Sequence, residues 1–388
     1  MMKHLVTYIF ISALAAVLAA CGGRVAERSP SAPHIFPDYA GVTVPMNIAP
    51  LNFRLDGFDG RARARLEADA ERVTVSTRDG AFRLPQRGWR RLCSAAVAAG
   101  GDISVTVEAR DGDGVWRRYA PFVIRVSEDE IDPYMVYRLI EPGYETWGEM
   151  GIYQRCLETF REEPVIETSS AGYGCINCHT FRSQDPDMML FHMRQTHAGT
   201  MLLREGRIER LNTATDSTIS STVYPSWHPS GRYIAFSVNA TKLITLPDES
   251  NRVEVFDSAS DVVVYDTERH ELYSVPELMR GDRFETFPSF SPAGDKLYFC
   301  TADSVEMPAR YKEARYSLCS IGFDAASGRL GRDVDTLCNA RTTGRSVSFP
   351  RVSPDGAFML YALSDYGTFS IWHRDADLRM IDLRSGRE

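Results

Sequence analysis

Residues 224–239, 287–303 and 349–365 read YPSWHPSGRYIAFSVN, FPSFSPAGDKLYFCTAD and FPRVSPDGAFMLYALSD. In each, an aromatic residue precedes a proline, and x-Pro-x-Gly and an apolar run follow, with the first prolines at Pro225, Pro288 and Pro350, 63 and 62 residues apart. A Pro/Gly turn between two short strands, returning at a fixed interval with another hairpin after it, is the pattern of four-stranded propeller blades. Residues 262–265 and 271–275 flank the turn Thr267-Glu268-Arg269-His270 as such a second hairpin. Residues 378–383 begin the equivalent hairpin of the third copy, which stops at Glu388 just past Ser385-Gly386. Residues 201–388 are thus expected to hold about three blades, the last short of a strand. An unpaired edge is an aggregation hazard, which favours a shortened chain over half of an assembly.

Ahead of these copies, Cys175, Ile176, Asn177, Cys178 and His179 spell C-x-x-C-H. Two thiols at this spacing reach the two vinyl groups on one porphyrin edge, and the next residue is carried beneath the iron as its proximal ligand. The expected cofactor is one covalent haem c on Cys175 and Cys178, with His179 on the metal. Two other uses of the thiols compete. They could close a small disulfide, or join His192 and His197 in a zinc site, because C-x13-H and H-x4-H fall within zinc-finger spacing.

Compartment bears on that choice. Lys3 and His4 precede an apolar run from Leu5 to Leu18, and Leu18-Ala19-Ala20-Cys21 forms the small-residue cleavage site of a bacterial lipoprotein signal. Cys21 would become the lipidated N-terminus. The run is too short to span a bilayer comfortably. An exported chain favours haem or a disulfide over an intracellular finger. The expected location is the bacterial envelope, with the lipid facing the periplasm or in the outer membrane. A net charge of −8 argues against nucleic acid, and 44% hydrophobic with 25% charged residues is ordinary for folded domains. Of eight cysteines, Cys93, Cys156, Cys300, Cys319 and Cys338 remain after Cys21 and the motif pair. That odd number leaves at least one thiol free, with a Cys319–Cys338 bridge as one option.

Residues 1–21 are therefore read as signal and 22–50, rich in Pro, Gly, Ser and Ala, as a tether. Apolar alternation across 51–130, punctuated by Asp79-Gly80 and Asp111-Gly112-Asp113-Gly114, predicts a small β-sandwich. The acidic turn lacks the glutamate a calcium loop would place after it. Trp147, Met150, Tyr153 and Leu157 share a helical face, so 131–200 is expected to be a short helical, cytochrome c-like haem segment. His192, set in Leu190-Phe191-His192-Met193, is the first candidate for the distal iron ligand, with Met188, Met189, Met193 and His197 as alternatives. Arg182 and Arg194 are candidates for the haem propionates. His228, in a blade turn, reads as structural.

The three copies resemble the TolB-like, WD-type β-propeller repeat, P-x-[WF]-S-P-D-G-x-x-[IL]-x-[FY], over about residues 198–388. With the lipoprotein signal and CINCHTF ahead of them, the chain looks like bacterial TolB-like propeller lipoproteins that carry a haem-attachment motif. The resemblance implies a propeller and haem c at Cys175, Cys178 and His179, and no particular reaction. Three functions follow as expectations: a membrane-anchored electron carrier whose propeller docks a protein redox partner, a non-redox scaffold binding proteins or glycans at the envelope, or a haem-dependent oxidoreductase. No nucleophile, acid and base set in the blades marks an enzyme acting by itself.

Overall fold

The computed structural model describes residues 25–110, 112, 114–140, 150–246, 251 and 253–388. The signal sequence with Cys21, Trp147, and Asp111 and Asp113 of the acidic turn lie outside the described residues. The chain is mainly β and divides into two compact units, residues 1–136 with 154–163, and residues 137–153 with 164–388.

The first unit departs from the expected sandwich. A seven-stranded sheet, centred on Ala62–Ala68, Asp102–Arg110 and Phe122–Ser127, packs against helix α1, Gln86–Ala98. The helix buries Gly88, Trp89, Leu92, Cys93 and Ala96, a spacing near i, i+4, i+7 that puts them on one stripe. Trp89 donates its indole N–H to the Ile48 carbonyl at 3.0 Å. The strands supply the other half of the core through Ala64, Leu66, Ile103, Val105, Val107 and Ile124. One helix therefore covers the sheet face for which a second sheet was expected. Phe53–Leu55 lies instead in a small separate sheet with Ile35–Phe36 and Ala81–Phe82.

The stretch expected to be helical is also β. Tyr134–Ile140, Met150–Cys156 and Glu162–Glu167 form a three-stranded sheet. Met150, Gly151 and Ile152 are all buried, so no single helical face is present, and a Cβ on Gly151 would lie 2.7 Å from the Ile166 carbonyl oxygen. Close strand pairing has overridden the 3.6-residue spacing.

Four sheets follow in sequence within the second unit. The first comprises Ile176–Arg182, Asp185–Met193, Gly199–Arg204 and Arg207–Leu211, each strand antiparallel to the next. The second comprises Thr222–Trp227, Tyr233–Thr245, Val253–Asp266 and Glu271–Tyr273. The third comprises Arg283–Phe290, Lys296–Asp303, Ser317–Asp324 and Arg329–Cys338. The fourth has three strands, Ser346–Val352, Phe358–Ser364 and Asp377–Asp382. The repeat thus begins one copy earlier than its Pro-x-Gly turns announce.

A shared irregularity identifies that extra copy. In the second, third and fourth sheets the ladder slips after Val223, Thr286 and Ser348, so that Tyr224-Pro225, Phe287-Pro288 and Phe349-Pro350 each oppose one residue. In the first sheet it slips after Asn177, and the lifted pair is Cys178-His179. Cys178, Tyr224, Phe287 and Phe349 have φ of 52°, 49°, 52° and 52°. The three aromatic residues converge, with ring centroids 4.6 Å apart for Tyr224–Phe287 and 4.3 Å for Phe287–Phe349. Consecutive sheets bury apolar faces against each other, as Leu190 and Leu202 do with Trp227, Ile234 and Phe236.

Candidate functional site

The haem motif sits on the first strand of the first sheet. A 3-10 turn, Thr168–Ala171, ends at Gly172 with φ 67° and delivers the chain to Gly174. A Cβ there would lie 2.4 Å from the Arg194 carbonyl oxygen, so only glycine permits this approach. The Cys175 carbonyl accepts from Arg194 N–H at 2.9 Å. Ile176 then pairs with Met193 and Asn177 with His192, and the ladder resumes at Thr180 opposite Leu190. The two spacer residues are in the ladder, while Cys175 precedes the strand and Cys178 and His179 form the bulge.

Both motif thiols are free, and Cys175 is only 3% exposed. Burial pushes the Cys175 thiol up, against the pull of the Arg194 and Arg138 charges. Burial pushes Cys178 up as well, opposed by a backbone hydrogen bond from Tyr224 and by the same two arginines. Arg138 carries no motif signal in the sequence, and only the fold brings it within electrostatic reach of the thiols. The His179 ring meets Phe181 edge-on at 6.3 Å.

Side-chain alternation separates the other candidates. Met189 pairs directly with Phe181 and Met193 with Ile176, so these two buried thioethers share the face of His179 and Phe181. His192 points from the other face, towards the second sheet. Its Nδ1 lies 2.9 Å from Thr200 Oγ1, and its ring is 5.9 Å from Phe236. Thr200 in turn contacts Thr222, which is 2.6 Å from Thr213. Burial, followed by the Arg194 charge, pushes His192 down to about 3, so it is neutral. Its Nε2 and the Asn177 Oδ1 across the ladder are buried with no hydrogen-bond partner. Met188 is half-buried on the His192 face, and His197 is exposed in the turn Gln195–His197. The opposed faces split the cysteine and histidine set of the zinc alternative. Among the described residues, no group of three or more His, Cys, Asp or Glu is placed to hold a metal ion.

The remaining candidates are structural. Arg182 pairs with Asp185 at 3.2 Å, and its stem lies where a Cβ on Gly231 would fall, 2.9 Å from Cδ. His228 Nε2 donates to the Gly294 carbonyl at 3.0 Å, while its Nδ1 accepts from Ser230 N–H at 3.1 Å. That joins the second and third sheets through their turns. Cys319 and Cys338 lie on neighbouring strands but a slip pairs them with Thr336 and Leu318, and both stay free.

Two buried polar groupings have no motif in the sequence. Glu254 accepts from Tyr366 OH at 2.5 Å and from His373 Nε2 at 3.0 Å, tying the long second-sheet hairpin to the fourth sheet's loop. Glu285 is fully buried on the third sheet, where desolvation, reinforced by the Asp261 charge, pushes it up to about 7.

No protein-family model matches this sequence, and no curated protein matches it. Solved structures with similar arrangements include an oligogalacturonate lyase in complex with manganese, at 12% identity and a TM-score of 0.31, covering 72% of this chain and 61% of that one. The dipeptidyl peptidase 4 of Porphyromonas gingivalis matches at 14% identity and a TM-score of 0.33, covering 62% and 35%. A thermostable family-43 glycoside hydrolase matches at 10% identity and a TM-score of 0.33, covering 73% and 86%. This chain spans about three fifths and one third of the first two structures. Likeness at this level assigns neither a family nor an activity.

Proposed function

We propose that this chain is an envelope c-type cytochrome built on TolB-like propeller repeats, tethered through a lipid on Cys21, that passes electrons to a protein partner. One observation carries the reading. Among the described sheets, the C-x-x-C-H motif occupies the repeat copy in which the lifted aromatic-Pro pair is replaced, with Cys178 and His179 in the bulge and Cys175 just ahead of the strand. The donor types are those haem c uses, two unbridged thiols for the vinyl groups and His179 for the iron, but Cys175, Ile176, Met189 and Met193 are buried in the folded sheet, which would have to open to receive the group. Haem would supply a one-electron redox centre, and the chain would hold and shield it. Burial raises both thiols and so disfavours the reactive thiolate, which makes attachment before closure of the first sheet the expected order.

The test is a pyridine haemochrome spectrum and an intact mass of full-length protein co-produced with a cytochrome c maturation system. One covalent haem per chain is expected, lost in Cys175→Ala. Colourless protein of unmodified mass overturns this reading and leaves the scaffold function, which is favoured by the burial of Cys175 within a complete sheet.

A further inference from the structure

We propose that the fourth sheet of the second unit is a self-association surface, whose open face docks on the same face of a second copy of this chain. The surface uses no residue of the haem motif and stands apart from that reading. In the last three sheets the turn glycines Gly231, Gly294 and Gly356 lead into a second strand whose alternate residues face the next sheet along the chain. The fourth residue after each glycine is Ala235, Tyr298 and Leu360. Ala235 is 0% exposed in the cluster that the second and third sheets share, and Tyr298 is 7% exposed in the cluster that the third and fourth share. Leu360 is 42% exposed. Beside it on the same face stand Phe358 at 38%, and Leu378 and Met380 at 74% and 52%, which pair with Ala362 and Leu360. The other face of this sheet, with Met359, Tyr361, Leu363 and Ile381, is buried against the third sheet. The repeat thus covers this face in two copies and presents it to water in the last.

The two covered faces show what fits there, an aliphatic and aromatic sheet surface of the same repeat. The margins of the open face match a second copy of itself. Arg351 pairs with Leu360 from the first strand, and Asp382 pairs with Phe358 from the third. A two-fold axis along the strands lays the first strand of one copy over the third strand of the other, so each arginine margin meets an aspartate margin and the apolar side chains meet between them. Four large apolar side chains exposed together on one sheet face are the type of surface that association removes from water.

The test is sedimentation velocity of full-length protein across about 1–100 μM, on the parent, Leu378→Glu/Met380→Glu and, as a comparably exposed leucine of the second sheet, Leu243→Glu, at 65%. The parent and Leu243→Glu should form dimers, and the double variant should weaken dimerisation at least about a hundredfold. Both of its altered side chains face water in a single copy, so circular dichroism and the thermal midpoint of dilute protein should match the parent's. A parent that stays monomeric overturns the proposal, as does a dimer that survives the double variant or one weakened equally by Leu243→Glu. Assemblies that keep growing with concentration overturn it too, because a two-fold contact closes at two copies. None of these results depends on haem content, so failure here leaves the cytochrome reading to its own test.

Discussion

The first and third sheets of the second unit share one backbone and differ in what it carries. Each lifts two residues out of its first ladder at a left-handed position, Cys178-His179 in one and Phe287-Pro288 in the other. Two residues before the bulge, the first sheet buries Ile176 and the third buries the carboxyl of Glu285, both at 0% exposure. In the third sheet the lifted ring is core: Phe287 touches Tyr224 and Phe349 and is 2% exposed. In the first, the lifted residues add a small thiol and an imidazole. Buried aromatic packing is therefore concentrated where the repeat is obeyed, and a thiol and an imidazole stand where it is broken.

The largest expected effect tests that division directly. Phe287→Ala should cost about 3–5 kcal/mol by removing a buried ring from the converging cluster. Cys178→Ala in protein without haem should cost about 1 kcal/mol or less, because it removes one sulfur atom from a half-buried site. Urea midpoints of both variants measure the difference, and comparable losses would break the comparison.

The turns sharpen it further. Gly294 and Gly356 hold φ of 76° and 70° at equivalent hairpins, but only at Gly294 would a Cβ strike a neighbour, 2.3 Å from His228 Nε2. Gly356→Ala should cost about 1 kcal/mol for the backbone alone. Gly294→Ala should cost about 2 kcal/mol more, because it also displaces the ring that bonds the third sheet's turn. Equal costs would show that the His228 contact does not hold these sheets together.

A pH dependence tests the third sheet through Glu285. In the unfolded chain Glu285 ionises near 4.5, and in the fold only near 7, because burial disfavours its charge. The fold thus keeps a proton that the unfolded chain has lost. Its contribution is present below the unfolded value and is lost as pH rises from about 5 to 7. Glu285→Gln should flatten that decline and gain up to about 3 kcal/mol at pH 8, read from denaturation midpoints across pH. Ile176→Val at the equivalent position of the first sheet should leave the slope untouched.

The sequence displayed the last three sheets through Pro225, Pro288, Pro350 and the glycines of their turns, which impose geometry through the chain itself. It concealed the first. That sheet turns on Ser183-Gln184, with φ of 46° and 64°, and puts Cys-His where the others put aromatic-Pro. Its pairing comes from register with Met189 and His192, which no local pattern encodes. The same limit applies to helix α1, whose 3.6-residue stripe lay between alternating segments and was outweighed by them. Cys175, Cys178 and His179 were legible as a candidate site because haem attachment demands that spacing. The faces taken by the neighbouring candidates were not, since adjacent His192 and Met193 differ only in the side of the sheet to which each is assigned.

The lifted pair has a consequence for how such a protein can acquire new properties. Because those two positions stand outside the paired register, a change of residue there leaves the pairing of its neighbours in place, and every copy of the unit offers the same opening. A Phe287→Cys, Pro288→His double replacement would place the thiol and imidazole at the equivalent bulge of the third sheet, at the cost of the aromatic packing that Phe287 makes with Tyr224 and Phe349.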